Sequence, residues 1–266
     1  MKKTILMTAA AVAVGGILTG CATKQSCCTK KGCNMPNKAY YQGGTFDENG
    51  INKGGKFDAE AASKAYFDMF KKFGYPLYPA LTGEIKVGNG HGFWAVDFAK
   101  GDFARFGMAG VIWVNEIREE YFGHEIYLLP GQAIAEHRHL ATHAKTKDEW
   151  TGKEFDKDMP CKMESWLIRH GWVWSFTTEG EPNLDKYPEL MAKLSPLFKE
   201  IDPKTGKQIL QCVHVEKWTA DGIAHKLPKE ESWHFLMGGD EGAIVSEFAN
   251  YHDGNGLRFS VPGVGF

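Results

Sequence analysis

Pro130-Gly131-Gln132-Ala133-Ile134-Ala135-Glu136-His137-Arg138-His139 is the stretch on which the fold turns. A Pro-Gly turn leads into a short apolar run, which ends in two histidines one residue apart. On a β-strand, residues i and i+2 point to the same side, so both imidazoles can face one divalent ion. With 10 histidines in the chain such a pair arises readily by chance, so its flanks carry the information. Gly131 stands six positions before His137, and Glu164 is followed seven positions later by Gly171. Further on, Gly222 precedes Pro228 by six positions, and His234 follows shortly after.

Around this stretch the pattern is one of strands. Short apolar runs at Val111–Val114, Glu125–Leu129, Ser165–Ile168, Trp172–Phe176 and Ala243–Phe248 are separated by Gly, Pro, Asn and Asp. That spacing predicts a mainly β sandwich or barrel. A helical preface comes first: Asp58 is an N-cap, and Ala62, Tyr66, Met69, Phe70 and Phe73 recur at helical steps. Gly74 and Pro76 stop it. A second short helix is predicted near Leu184–Phe198.

Composition excludes several classes. The 31 Lys plus Arg against 33 Asp plus Glu leave no basic excess for a nucleic acid. The 17 Phe, 9 Tyr and 8 Trp supply enough apolar area to rule out disorder. Lys2 and Lys3 precede an apolar run, Ile5 to Leu18, that is too short for a confident membrane span. It has the layout of a secretory signal. Residues 22–55 are polar and Gly-rich and read as a flexible tether, with Cys27, Cys28 and Cys33 in it. Only Cys161 and Cys212 remain for the body, so disulfides are not expected to hold the fold.

Two resemblances add to this reading. Leu18-Thr19-Gly20-Cys21 resembles the bacterial lipobox, which implies a signal peptide at 1–20, lipid on Cys21 and an extracytoplasmic, envelope-anchored protein. The tether then spans 21–55, and one domain spans 56–266. Gly131, the His pair, Glu164, Gly171, Gly222, Pro228 and His234 together resemble the two motifs of the cupins. That family implies an antiparallel β-barrel (jelly roll) with His137, His139, Glu164 and His234 as metal ligands. The sequence departs from the pattern in two places. Twenty-four residues separate His139 from Glu164 where the family has a short gap, and Glu230 replaces a motif Gly so that His234 falls one residue late. The surplus, 141–161, reads as an inserted loop, and Glu149 or Glu154 within it are rival fourth ligands. Cys212, His214 and Glu216 alternate along one face and form a competing half-site.

A narrower resemblance runs along most of the chain. Asp97-Phe98-Ala99-Lys100-Gly101-Asp102-Phe103-Ala104-Arg105, the Phe70-Lys71-Lys72-Phe73-Gly74 helix end and Lys162-Met163-Glu164 are similar to segments of the bacterial D-lyxose isomerases, themselves cupins. Glu247 through Asn250, Asp253 and Leu257-Arg258-Phe259 resemble their closing segment. The resemblance implies a metal-dependent aldose–ketose isomerase acting through an enediol, with a sugar substrate and manganese. The donor set itself also suits Fe, Co, Ni or Zn. A homodimer is left open. Glu247, in an otherwise apolar strand where desolvation is expected to raise its pKa, is the candidate base. Lys162 shares the face of Glu164 and is placed to stabilise an oxyanion or shuttle a proton; Arg258 is placed to orient the substrate or Glu247. His252 is a candidate for the pocket beside Asp253. His91, His124, His143, His170 and His225 read as surface or loop residues, and the tryptophans as core. The competing readings are a non-catalytic envelope binder of sugar or metal, or a cupin dioxygenase or decarboxylase.

Overall fold

The computed structural model describes residues 35–82, 92–147 and 151–265. The signal sequence, Cys21, Cys27, Cys28, Cys33, His91 and Glu149 lie outside the described residues. From Pro36 the chain departs from the tether reading. Pro36–Tyr40 forms a 3-10 turn, strand β1 (Tyr41–Gln42) pairs with β4 (Lys56–Phe57), and β2 (Thr45–Phe46) pairs with β3 (Asn52–Lys53). Composition hides this because the anchors are polar. Asn37 is fully buried and donates to Asp102 Oδ1 at 2.6 Å and to the Gly50 carbonyl at 2.8 Å. The Tyr41 hydroxyl donates to Asp97 Oδ2 at 2.9 Å.

Helix α1 (Ala59–Phe73) follows the sequence closely. Asp58 accepts from the Ala61 amide, and Gly74 closes the helix in the left-handed conformation. Ala62, Tyr66, Met69 and Phe70 are buried against Ala109, Val111, Tyr127 and Ile244 of the sheet. Phe73 is half-buried and stacks on His170, ring centroids 5.6 Å apart. The Tyr66 hydroxyl donates to Gln132 Oε1, and Gln132 Nε2 donates to the Phe103 carbonyl, both at 2.6 Å. The helix thereby fixes the turn that launches the histidine pair.

After α2 (Pro79–Thr82) come β5 (Trp94–Val96), β6 (Met108–Glu116), β7 (Tyr121–Leu128), β8 (His137–His139), β9 (Thr142–Lys147), β10 (Glu154–Met159), β11 (Glu164–Thr177), α3 (Pro188–Lys193), β12 (His214–Thr219), β13 (Ala224–Lys226), β14 (His234–Ala249) and β15 (Leu257–Phe259). Among the described residues the main sheet runs β12-β11-β14-β7-β6-β5, with β13 beside β11 and with β8 joining β14 to β15. All its ladders between named strands are antiparallel. The expected mainly β architecture forms, as a curled antiparallel sheet.

Closure comes from the β11–β14 ladder. Glu164 pairs with Ala249 at one end and Thr177 with His234 at the other. A straight ladder of that length would hold its ends roughly 40 Å apart at ~3.3 Å per residue. Yet the Glu164 carboxylate lies 2.6 Å from the His234 ring. The ladder must therefore curl back on itself, and its register slips on both sides of Gly171, where bulges bend the strand. Gly171 has φ +70°, and a Cβ there would lie 2.1 Å from the Gly242 carbonyl oxygen. Gly171→Ala combines backbone strain with a clash and is expected to cost about 2–6 kcal/mol. Chemical denaturation checks this; an unchanged midpoint would refute the bend.

Three expectations are corrected. Ser165–Ile168 and Trp172–Phe176 are one strand, because the bulges let pairing run through the glycine. The Leu184–Phe198 helix is three short pieces, Leu184–Lys186, α3 and Pro196–Lys199, since Pro188 and Pro196 interrupt its hydrogen bonding. The inserted loop contains the hairpin β9–β10, whose Ala144 and Met159 are buried with Ile117. Cys161 and Cys212 are both buried and unpaired.

Candidate active site

The curled ladder gathers the four candidate metal ligands. His137 and His139 leave β8, His137 pairs across to His234 at the start of β14, and Glu164 opens β11. One ligand atom from each of His137, His139, Glu164 and His234 lies within 4.8 Å of the others. His137, His139 and Glu164 line a cavity of about 1160 Å³ inside the barrel. The rivals do not converge there. Glu154 is exposed on β10. Cys212 Sγ turns to the Trp233 carbonyl, while His214 Nε2 lies 3.1 Å from Glu216 Oε1 at the surface.

The four side chains fit a divalent ion. His137 Nδ1 lies 2.8 Å from the Ala135 carbonyl and His234 Nδ1 lies 2.9 Å from the Ser232 carbonyl. A carbonyl only accepts, so each Nδ1 carries the proton and each Nε2 presents a lone pair, the outer-sphere arrangement of metal-binding histidines. His139 Nδ1 and Nε2, His234 Nε2 and Glu164 Oε2 are buried without a hydrogen bond. His234 Nε2 approaches Glu164 Oε2 to 2.6 Å and His139 Nε2 approaches Oε1 to 3.3 Å, but neither contact has hydrogen-bond alignment. Buried polar atoms that converge without bonding one another are costly unless a cation satisfies them.

Electrostatics agree with that assignment for His137, His139 and Glu164. Burial pushes His137 well below the ordinary histidine value, with His234 and His139 adding to it; burial likewise lowers His139. Neutral imidazoles are the ligating form. Burial opposes ionisation of Glu164, but Lys162, His139 and His234 outweigh it and hold the carboxyl well below the usual range. For His234 burial lowers the value, and Glu164 more than reverses it.

Beside this cluster stands a second carboxylate. Lys162 is buried and donates to Glu164 Oε1 at 2.6 Å and to Glu247 Oε1, so one ammonium bridges the two acids. Its Nζ sits 4.2 Å from the centre of the Phe122 ring. Asn250 clamps the segment, accepting from the Met163 amide and donating to the Cys161 carbonyl. Burial disfavours the charged lysine, yet Glu164 and Glu247 raise its pKa above the ordinary value. It is a donor that keeps its proton.

The structure revises three further readings, of Glu247, Arg258 and His124, and places His252 where it was expected. Glu247 is buried, but it faces Lys162 and His124 rather than apolar neighbours. Arg258 is exposed, and its guanidinium donates to the Asn255 and Leu257 carbonyls. Leu257 and Phe259 line the cavity, so strand alternation turns Arg258 outward and the expected contact with Glu247 is not made. His252 lines the cavity, its ring 5.6 Å from that of His139. His124, read as a surface residue, is buried on β7 directly opposite Glu247. The signal for it was the alternation Phe122, His124, Ile126, Leu128, which places the imidazole on the inward face.

Comparison with known proteins follows the same direction. No protein-family profile matches the chain. It is 28% identical over 206 residues to the D-lyxose/D-mannose isomerase of Thermosediminibacter oceani, covering 76% of this chain and 90% of that protein. It is 28% identical over 183 residues to the D-lyxose ketol-isomerase of Cohnella laeviribosi, covering 69% and 79% of the respective chains. Among solved structures, L-ribose isomerase of Acinetobacter sp. DL28 in complex with L-ribose superposes with a TM-score of 0.46 at 11% identity, over 77% of this chain and 92% of that one.

Proposed function

We propose that this chain is a metal-dependent aldose–ketose isomerase of the D-lyxose type. The observation that carries the reading is Lys162, which joins the His₃–Glu donor set to a second buried carboxylate. A protein that only bound metal or sugar would gain nothing from the second acid, and burying such a pair is costly. An isomerase needs it as the base. The curated relatives, named as D-lyxose isomerases, support the same reaction.

In this proposal His137, His139, Glu164 and His234 hold a divalent ion. Manganese fits the resemblance, and Fe, Co, Ni or Zn fit the donors. Bound there, the ion supplies Lewis acidity toward the carbonyl of the sugar. Glu247 takes the proton from C2 and returns it to C1, by way of an enediol. Lys162 fixes both carboxylates and sets a positive charge beside developing oxyanion charge. Manganese-loaded protein incubated with a panel of pentoses and hexoses, followed by proton NMR, tests this. D-lyxose conversion is expected; no interconversion of any sugar with any divalent metal would leave the binder.

We further propose that the protein is tethered to the cell envelope by lipid on Cys21. No helix of the described residues is long and apolar enough to cross a membrane. Cys21→Ser is expected to move the protein from the detergent phase to the aqueous phase, or to leave it unprocessed. Unchanged detergent partitioning would count against lipidation.

A further inference from the structure

The isomerisation proposed above moves two protons, one between carbons and one between oxygens, and Glu247 accounts only for the first. Across the cavity floor, Trp166, Glu247, His124 and Ile112 lie in one register row over β11, β14, β7 and β6. Within it His124 Nδ1 is 3.7 Å from Glu247 Oε2. Nε2 is buried, lines the cavity through its residue and has no hydrogen-bond partner. The ring is held from the sides. Trp94 stacks on it at 5.7 Å and 19°, and Phe122 packs at 5.6 Å. Gly110 lies beneath: a Cβ there would fall 2.3 Å from His124 Nε2 and 3.0 Å from the Trp94 ring, so the absent side chain is what gives the imidazole its place. His124 is no member of the four-ligand group. An orphaned imidazole nitrogen, fixed beside the base on a residue that lines the cavity, has the chemistry of a proton carrier.

We propose that His124 is a catalytic residue that carries the hydroxyl proton between the sugar oxygens. This assignment rests on the isomerase reading. As the C2–H bond breaks, its proton passes to the Glu247 carboxylate and its electron pair forms the C1=C2 bond. The C1=O1 π pair becomes a lone pair on O1. His124 Nε2 accepts the proton from O2 and delivers it to O1. The O2 lone pair then forms the new carbonyl at C2, while the C1=C2 pair takes the proton from Glu247 at C1. One hydrogen has moved from C2 to C1 and one from O2 to O1, and both side chains are restored with no outside reagent.

The test uses manganese-loaded full-length protein. His124→Gln keeps a polar side chain of similar reach but has no basic nitrogen. Its kcat is expected to fall about 10²–10⁴-fold, while KM, sugar affinity by calorimetry and metal content by elemental analysis stay close to wild type. His124→Gly opens the ring site, and added imidazole is expected to restore turnover at least tenfold with saturation, without effect on wild type or on Glu247→Gln. A packing or positioning role predicts no such rescue. Wild-type kcat in His124→Gln overturns the assignment, as does a slow His124→Gly enzyme that imidazole leaves unchanged. In either case wild-type turnover keeps the isomerase reading intact. A wild type inert on every sugar overturns both.

Discussion

Purified His137→Ala/His139→Ala protein is expected to retain no stoichiometric metal. The two imidazoles are half of a donor set whose ligand atoms lie within 4.8 Å of one another, and nothing else on β8 replaces them. Losing even an outer-sphere partner costs about 10–100-fold in metal affinity, so losing two direct donors exceeds that range. Glu164 keeps Lys162 as a partner in the variant, so the carboxylate is not stranded. Elemental analysis after dialysis reads the outcome, with circular dichroism as the control for folding. Metal at wild-type stoichiometry would show that the ion sits elsewhere and would remove the basis of the proposed chemistry.

Turnover is expected to collapse in Glu247→Gln while metal stays bound. The substitution keeps volume and still offers an amide oxygen to Lys162, but it has no basicity. A positioned general base contributes about 10²–10⁴-fold, and the loss in kcat is expected to fall in that range. Exchange of the C2 proton of the sugar with deuterated solvent is expected to disappear with it. Metal content and sugar affinity hold, because Glu247 is outside the four-ligand group. Wild-type turnover in the variant would take the base role away from Glu247. A binder predicts no exchange in the wild type and an effect of the variant on affinity alone.

Much of the local structure is legible in the sequence because its causes are local. The capping oxygen of Asp58, the apolar spacing from Ala62 to Phe70 and the left-handed Gly74 set α1 without reference to anything distant. The histidine pair is legible as well, since strand alternation puts both imidazoles on one side, and the resemblance of its flanks to the cupin motifs is what implied a metal site there. Where the sequence misled, distant contacts overrode local preference. Residues 36–55 look like a linker until Asn37 finds Asp102 and Gly50. Ala243–Phe248 reads as one short run, yet β14 starts at His234 because β11 pairs with 234–238 as well as with 243–249.

The sequence by itself determined the β class, through its strand periodicity, while the four metal-site candidates came from its resemblance to the cupin motifs. Only the tertiary structure decided which charged groups share the cavity. Ladder register sets His124 opposite Glu247, and strand alternation turns Arg258 away from it. Lys162 became a bridge between Glu164 and Glu247 because the two strands lie side by side, although the acids stand 83 positions apart in the chain. Curling of the β11–β14 ladder brings His234 back to Glu164, a proximity that neither residue's own neighbours encode. Short-range pattern fixes which way a side chain points along its strand, whereas what it meets there depends on how distant strands close around it.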